Sequence, residues 1–297
     1  MMASPPPLSG WLNLNKPEHM SSAHAIAKVK HALKRIVGYK PKIGHTGTLD
    51  PFASGVLPIA IGEATKLSQF FLDHQKSYTF EVTWGTQYDT GDPTGDIIDS
   101  GGFIPNEEAI RDVLPDFIGQ ILQKPHRYSA VKVNGQRAYK LARNGEDFSL
   151  KHRDITIYDL SIIEHFKDKT SFKVSCSKGT YIRVLAEDIA RTLGTKGYVS
   201  RLIRTEVGAF TLKDAITLDS SDNMIYKAVC DLGTGLGGIP AISISQEEAS
   251  KIQMGQKIGW QAPYPDCDRF ILRHDHNILA IASYEKGYIC PKRVLNI

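Results

Sequence analysis

Residues Lys76–Gly85 alternate between two faces, and this pattern limits the fold more sharply than any other in the chain. Tyr78, Phe80, Val82 and Trp84 fall on one side, and Ser77, Thr79, Glu81 and Thr83 on the other. A period of two belongs to a β-strand with one buried face and one polar face. Further strands are expected at Gly10–Lys16, Gly55–Gly62, Tyr128–Val133, Ile155–Phe166 and Ser171–Ser177. Helical spacing appears instead after Ser22, read as an N-cap, with Ile26, Val29, Leu33 and Ile36 on one face. It recurs over Ala109–Ile121, over Gln136–Arg143 after an Asn134-Gly135 turn, and from Ile182 through Leu185, Ile189 and Leu193 to Gly194. Strands and helices intermingle without a steady βαβ rhythm. The fold class expected is therefore α+β, a mostly antiparallel mixed sheet flanked by helices.

The glycine-rich stretch Asp231–Pro240 reads as a linker. Beyond it, Ser245 and Glu248 form a capping-box signature for a short helix ending at Gly255. Strands are expected at Phe270–Leu272, Ile278–Tyr284 and Tyr288–Val294, so a small second domain begins near residue 241. The 297 residues fit one large domain or two ordinary ones. At 41% hydrophobic and 23% charged the chain has enough apolar surface to order itself. Pro5–Pro7 read as an unfolded tip. The N-terminus lacks the charged start and apolar centre of a signal peptide. The best apolar run, Val56–Ile61, falls far short of the ~20 residues that cross a bilayer. The four cysteines, Cys176, Cys230, Cys267 and Cys290, form no CxxC pair and have no metal-ligand spacing. Free thiols in a reducing cytoplasm, with no metal and no membrane, are the expectation.

Asp50 is the first candidate for chemistry. It ends the glycine-punctuated run Gly44-His45-Thr46-Gly47-Thr48-Leu49-Asp50 and precedes Pro51, which biases it toward extended or turn geometry. A carboxylate shown on such a loop serves as nucleophile or general base, or simply bonds its own turn. Arg183 sits in the first turn of its helix, where the dipole disfavours a cation. It pairs either with Glu187 four residues on or with a distant loop carboxylate; beside Asp50 it would favour the charged form and fix its direction. Tyr78 is either a core ring or, at the start of its strand, a platform for a base. Tyr181, beside Arg183, offers a second ring. His45 reads as a general base, a phosphate donor or a loop histidine.

Net charge is only +4, so a polyanion partner requires local concentration of positive charge. The first helix and its tail, from Lys28 to Lys42, supply one cluster. Lys124, Arg127, Lys132, Arg137, Lys140, Arg143, Lys151 and Arg153, interleaved with Tyr128 and Tyr139, supply a second, and Lys292-Arg293 a third. A basic segment with aromatics and a turn is the footprint of an RNA-contacting arm.

Six segments together carry a resemblance: Gly44–Pro51, Gly62–Lys66, Lys76–Tyr78, Tyr128–Gly135, Gly179–Arg183 and Arg201–Thr205. In sequence and order they resemble the motifs of the bacterial tRNA pseudouridine-55 synthases, the TruB family, over roughly residues 10–215. The C-terminal part is similar to the PUA-like β domain that follows the catalytic domain in bacterial members. The resemblance implies a catalytic domain over residues 1–232, an RNA-binding arm at about 124–153, and a PUA-like RNA-binding domain over 241–297. It implies conversion of uridine 55 in the T-loop of tRNA to pseudouridine, by a monomer with no cofactor, metal or obligate protein partner. By resemblance, Asp50 would be the essential carboxylate, attacking the sugar C1′ or taking a proton from C2′. Tyr78 would stack on the flipped base and take part in proton transfer, Arg183 would pair with Asp50, and Tyr181 and Leu202 would line the base pocket. His45 would hold the RNA in its flipped state, Lys16 would belong to a structural motif, and Asp92 to the outer network of the site.

Two departures stand out. Pro125-His126 replaces the family's paired prolines, and Tyr198-Val199-Ser200 stands where a small residue and a histidine are usual. Two other readings fit the same motifs: a non-catalytic tRNA-folding factor that grips the T-arm, and the guide-RNA-dependent relatives of archaea and eukaryotes.

Overall fold

A computed structural model describes residues 7–260 and 269–296. Pro5, Pro6 and Cys267 lie outside the described residues. Eight strands run in line across the main sheet. In chain order its long members are β1 (Gly10–Lys16), β2 (Ser54–Ile61), β3 (Lys76–Trp84), β4 (Gly119–Gln123), β5 (Arg153–Phe166), β6 (Lys169–Cys176) and β7 (Gly197–Val207). Their spatial order is β1-β2-β7-β3-β6-β5-β4, with the short strand Ile216–Thr217 outside β1. Every contact along the order is antiparallel except β2 with β7 and β1 with Ile216–Thr217. The α+β expectation holds.

Burial follows the alternation that defines β3: Tyr78, Phe80, Val82 and Trp84 are buried, and the Phe80 and Phe172 rings stack at 5.0 Å. Helix α1 (Ser22–Val37) covers β1 and β2, with Ala25, Val29 and Leu33 against Leu12, Leu14, Leu57 and Ile59. The expected cap is shifted by one residue. Ser21 caps α1 through His24 N, which frees the Ser22 hydroxyl for the loop before β2.

The helix expected over Ala109–Ile121 is cut short. α2 spans Glu107–Val113 from an Asn106 cap, a 3-10 turn follows at Leu114–Phe117, and the chain is extended from Gly119 as β4. Pro115 has no N–H to continue an α-helical ladder, and the chain then joins β5 as the sheet's edge. In the arm, only Lys132–Val133 and Gln136–Arg137 pair as strands around the Asn134-Gly135 turn, and the helix is α3 (Ala138–Arg143). The remaining long helix is α4 (Ile182–Thr192), which buries Ile182, Leu185 and Ile189 against the sheet.

A second, five-stranded sheet follows, consistent with the expected PUA-like fold. It comprises β8 (Ala241–Ser243), β9 (Ile258–Gly259), β10 (Phe270–His274), β11 (Asn277–Glu285) and β12 (Tyr288–Val294) in the order β8-β10-β11-β12-β9. α5 (Gln246–Gln253) carries the full capping box of Ser245 and Glu248. The glycine-rich connection before it is packed, not free. Trp11 Nε1 donates to Leu232 O at 2.9 Å, and Leu232 and Leu236 are buried in one cluster with Trp11, Phe71, Ile271 and Ile281. That cluster joins the two sheets. Lys66 Nζ to Val294 O (3.1 Å) and Asn296 N to Glu63 Oε2 (2.7 Å) bind them further at the surface.

Candidate active site

The loop Thr46–Ala53 between the short strand Ile43–His45 and β2 is held by side chains from three separate elements. From the start of α1, the Ser22 hydroxyl meets both the N–H and the C=O of Leu49 at 2.9 Å. At the end of β1, the Lys16 ammonium is fully buried and donates to Pro17 O, Met20 O and Pro51 O (2.8, 2.7 and 3.4 Å). Burial lowers the Lys16 pKa to about 8, against the opposing pull of Asp50. β7 contributes Arg204, also buried, which donates to Val56 O, Thr48 O and Gly47 O (2.7, 3.4 and 3.1 Å). It can reach them because β2 and β7 run side by side at Gly55, where a Cβ would lie 2.3 Å from Arg204 O. Asp50 is thus presented by a backbone pinned on either side of it.

Its carboxylate faces Arg183. Arg183 Nε lies 2.9 Å from Asp50 Oδ2, and Nη1 lies 3.1 Å from Asp92 Oδ2. The guanidinium also donates to Thr90 O at 2.6 Å and to Tyr128 O at 3.1 Å. Its side chain is 4% exposed and that of Asp50 34%, so the arginine is sealed in while the carboxylate opens to a cavity. Asp92 is fixed in turn, accepting from Thr90 Oγ1 and Thr94 N at 3.0 Å. Glu187, the alternative partner for Arg183, faces His126 at 3.6 Å instead.

The cavity measures about 500 Å³ and is lined by Asp50, Tyr78, Tyr181, Arg183 and Leu202, among others. Tyr78 stands opposite Arg204 across the β3–β7 ladder, and burial pushes its phenol up to about 12. Gln123 fixes Tyr181 through both main-chain groups, accepting from its N at 2.8 Å and donating to its O at 3.1 Å. The arm closes one side with Ser129, Ala130 and Val131. His45 lies outside the cavity wall; burial, then the charges of Arg204 and Arg137, hold its imidazole below the usual range. Among the described residues no group of three or more His, Cys, Asp or Glu is placed to hold a metal ion.

Several residues of the site went unremarked in the sequence as site residues. Ser22 read as a cap and Arg204 as one more charge in a motif. Lys76 lines the cavity, its ammonium on His74 O at 2.7 Å and Leu72 O at 3.1 Å, and burial lowers its pKa to about 8. A cation two residues before Tyr78, in phase with the apolar face of an alternating strand, is the one signal that marks Lys76.

The profile of the TruB family pseudouridylate synthase (N terminal domain) matches residues 34–182. A tRNA pseudouridine synthase B of Rickettsia akari is 41% identical over 294 residues, which cover 97% of this chain and 98% of that protein. The chain belongs to the TruB family. Another relative, the tRNA pseudouridine synthase B of Rhodopseudomonas palustris, is 41% identical over 97% of this chain and 81% of its own length. This TruB-family chain is accordingly a pseudouridine synthase, an isomerase. Its fold matches a solved H/ACA RNP bound to a substrate RNA containing 2′-deoxyuridine, with a TM-score of 0.73 at 21% identity over 97% of this chain and 85% of that one. A Cbf5-Nop10-Gar1 complex gives 0.72 at 24% identity over 96% and 84%. No helix among the described residues is long and apolar enough to cross a membrane.

Proposed function

We propose that this synthase acts on tRNA, isomerising uridine 55 in the T-loop to pseudouridine with Asp50 as the essential carboxylate. The observation that carries this reading is the pairing of a solvent-sealed Arg183 with Asp50 at the wall of a cavity also bounded by two tyrosines and a leucine. A volume of about 500 Å³ accepts a nucleoside, and only a flipped nucleotide brings its glycosidic bond there. Extrusion costs about a few kcal/mol. Stacking on an aromatic ring returns about 1–3 kcal/mol per base, the part assigned to Tyr78 with Tyr181 and Leu202 as walls.

Asp50 then acts on the ribose, at C1′ as nucleophile or at C2′ as base. The N1–C1′ bond breaks, the uracil turns, the C5–C1′ bond forms, and the C5 proton leaves for a base while N1 gains one. No atoms are gained or lost overall. Arg183 aims the carboxylate, Asp92 aims Arg183, and Lys16 holds the Asp50 loop from behind. Tyr78 is a protonated phenol throughout the physiological range, so its part in proton transfer is as a donor or through hydrogen bonding.

The arm of residues about 124–153 and the first helix hold the T-arm through phosphate contacts, with His45 helping to hold the RNA in its flipped state. The C-terminal sheet adds RNA contacts through Lys292 and Arg293. The enzyme works as a cytoplasmic monomer.

The test is incubation of the purified chain, alone, with an unmodified tRNA transcript, followed by mapping of pseudouridine. Stoichiometric modification at position 55 is expected. Modification elsewhere overturns the site assignment. No turnover without added proteins or guide RNA favours the guide-dependent reading, and tight binding without turnover favours the folding factor.

A further inference from the structure

Ser129 carries a hydroxyl with no partner. The residue is 4% exposed, and its Oγ is buried and makes no hydrogen bond among the described residues. It nevertheless forms part of the wall of the Asp50 cavity. Its neighbours are firmly held. Tyr128 O accepts from Arg183 at 3.1 Å, the Tyr128 hydroxyl donates to Asp89 at 2.6 Å, and Ser129 O accepts from Tyr139 N at 3.0 Å. A buried hydroxyl without a partner costs free energy, so such groups call for an explanation in the bound state.

We infer that the Ser129 hydroxyl is a substrate-binding group, which hydrogen-bonds the ribose 2′-hydroxyl of the flipped nucleotide. The inference rests on the reading of this cavity as the nucleotide site. Direction comes from Arg183, whose guanidinium touches the Tyr128 carbonyl with one nitrogen and Asp50 with another. Residue 129 therefore follows directly on a carbonyl that shares one guanidinium with the carboxylate that works on the sugar. Serine χ1 has three staggered wells, so a rotamer change on substrate entry turns the hydroxyl toward the sugar without moving the anchored backbone. A hydroxyl both donates and accepts, which suits another hydroxyl as partner.

The experiment is a cycle between the protein and its substrate. Wild type and Ser129→Ala are compared in affinity for a T-arm RNA hairpin carrying uridine or 2′-deoxyuridine at the target position. Ser129→Ala is expected to bind the uridine hairpin about 10-fold more weakly, the loss of one hydrogen bond, and the deoxy hairpin as wild type does. Ser129→Thr, which keeps the hydroxyl, restores the preference for uridine. The melting temperature of Ser129→Ala stays at or above that of wild type, since the fold loses no hydrogen bond. Equal weakening toward both hairpins, or a clear fall in melting temperature, overturns the proposal. Asp50→Asn run alongside separates the two levels: if it still forms pseudouridine, the cavity reading itself fails, whatever Ser129 does.

Discussion

Arg183 Nε stands 2.9 Å from Asp50 Oδ2, although the two residues come from a helix and a loop 133 positions apart in the chain. The same guanidinium reaches Asp92 and two main-chain carbonyls, so one planar group holds the Asp50 loop, the Thr90–Thr94 loop and the root of the arm together. A lysine keeps the charge but reaches one of these places at a time. Arg183→Lys is therefore expected to lower kcat by about 100-fold, the scale of losing aligned charge-assisted contacts, with tRNA affinity changed far less. Single-turnover rates and filter-binding affinities check this. An affinity loss as large as the rate loss contradicts it.

Ser22 holds the same loop at Leu49, one residue before Asp50. Ser22→Ala leaves the Leu49 N–H and C=O without their side-chain partner, a cost of about 1–3 kcal/mol in a buried setting. Denaturant unfolding should show that loss, with a parallel fall in kcat as Asp50 loses its fixed position. Ser21→Ala makes the control. It removes a helix cap worth about 1 kcal/mol while leaving the loop bonds in place, so stability falls and kcat does not.

Both serines precede the same apolar periodicity, so sequence alone cannot say which caps the helix and which turns inward. That ambiguity typifies what the sequence concealed. Asp50, Arg183 and Tyr181 drew attention through local oddities: a carboxylate between glycines and a proline, a cation at a helix start, a ring beside it. Tyr78 stood at the start of an uninterrupted alternation. β7 escaped notice because its ladder to β3 slips at Val199/Arg201 and again at Arg204/Glu206. Each slip resets the phase, so the buried set runs Gly197, Val199, Leu202, Arg204, Val207, with a cation in an interior position. Arg204 is buried for the carbonyls it serves, and those lie more than 140 residues earlier, in the Asp50 loop and near the start of β2, beyond any local pattern.

The packed connection between the sheets carries its own prediction. Glycines there read as freedom, yet a Cβ on Gly235 would stand 2.4 Å from the Trp11 ring, while one on Gly237 meets nothing within 4 Å. Gly235→Ala should lose about 1–3 kcal/mol through overpacking, and Gly237→Ala should unfold close to wild type. Thermal melts of both variants decide the matter. Equal melting temperatures mean that the connection is the loose linker its composition suggests.

His45 gives the chain an acid sensitivity of definite sign. Its folded-state pKa is depressed, by burial first and then by Arg204 and Arg137, so the unfolded chain takes up the proton at higher pH. Stability tied to this group is thus complete above the unfolded value of about 6.5 and drains away as pH falls below it. His45→Gln should lose less melting temperature than wild type between about pH 7 and pH 5. Parallel curves contradict the assigned environment.

Conservative replacement of Asp50 puts its assignment as the reacting carboxylate to trial. Asp50→Asn keeps the shape of the side chain and the loop bonds made by Ser22, Lys16 and Arg204. Pseudouridine formation on an unmodified tRNA transcript should fall below detection in single-turnover assays while the affinity for the same transcript stays near wild type. Formation at the wild-type rate contradicts the account.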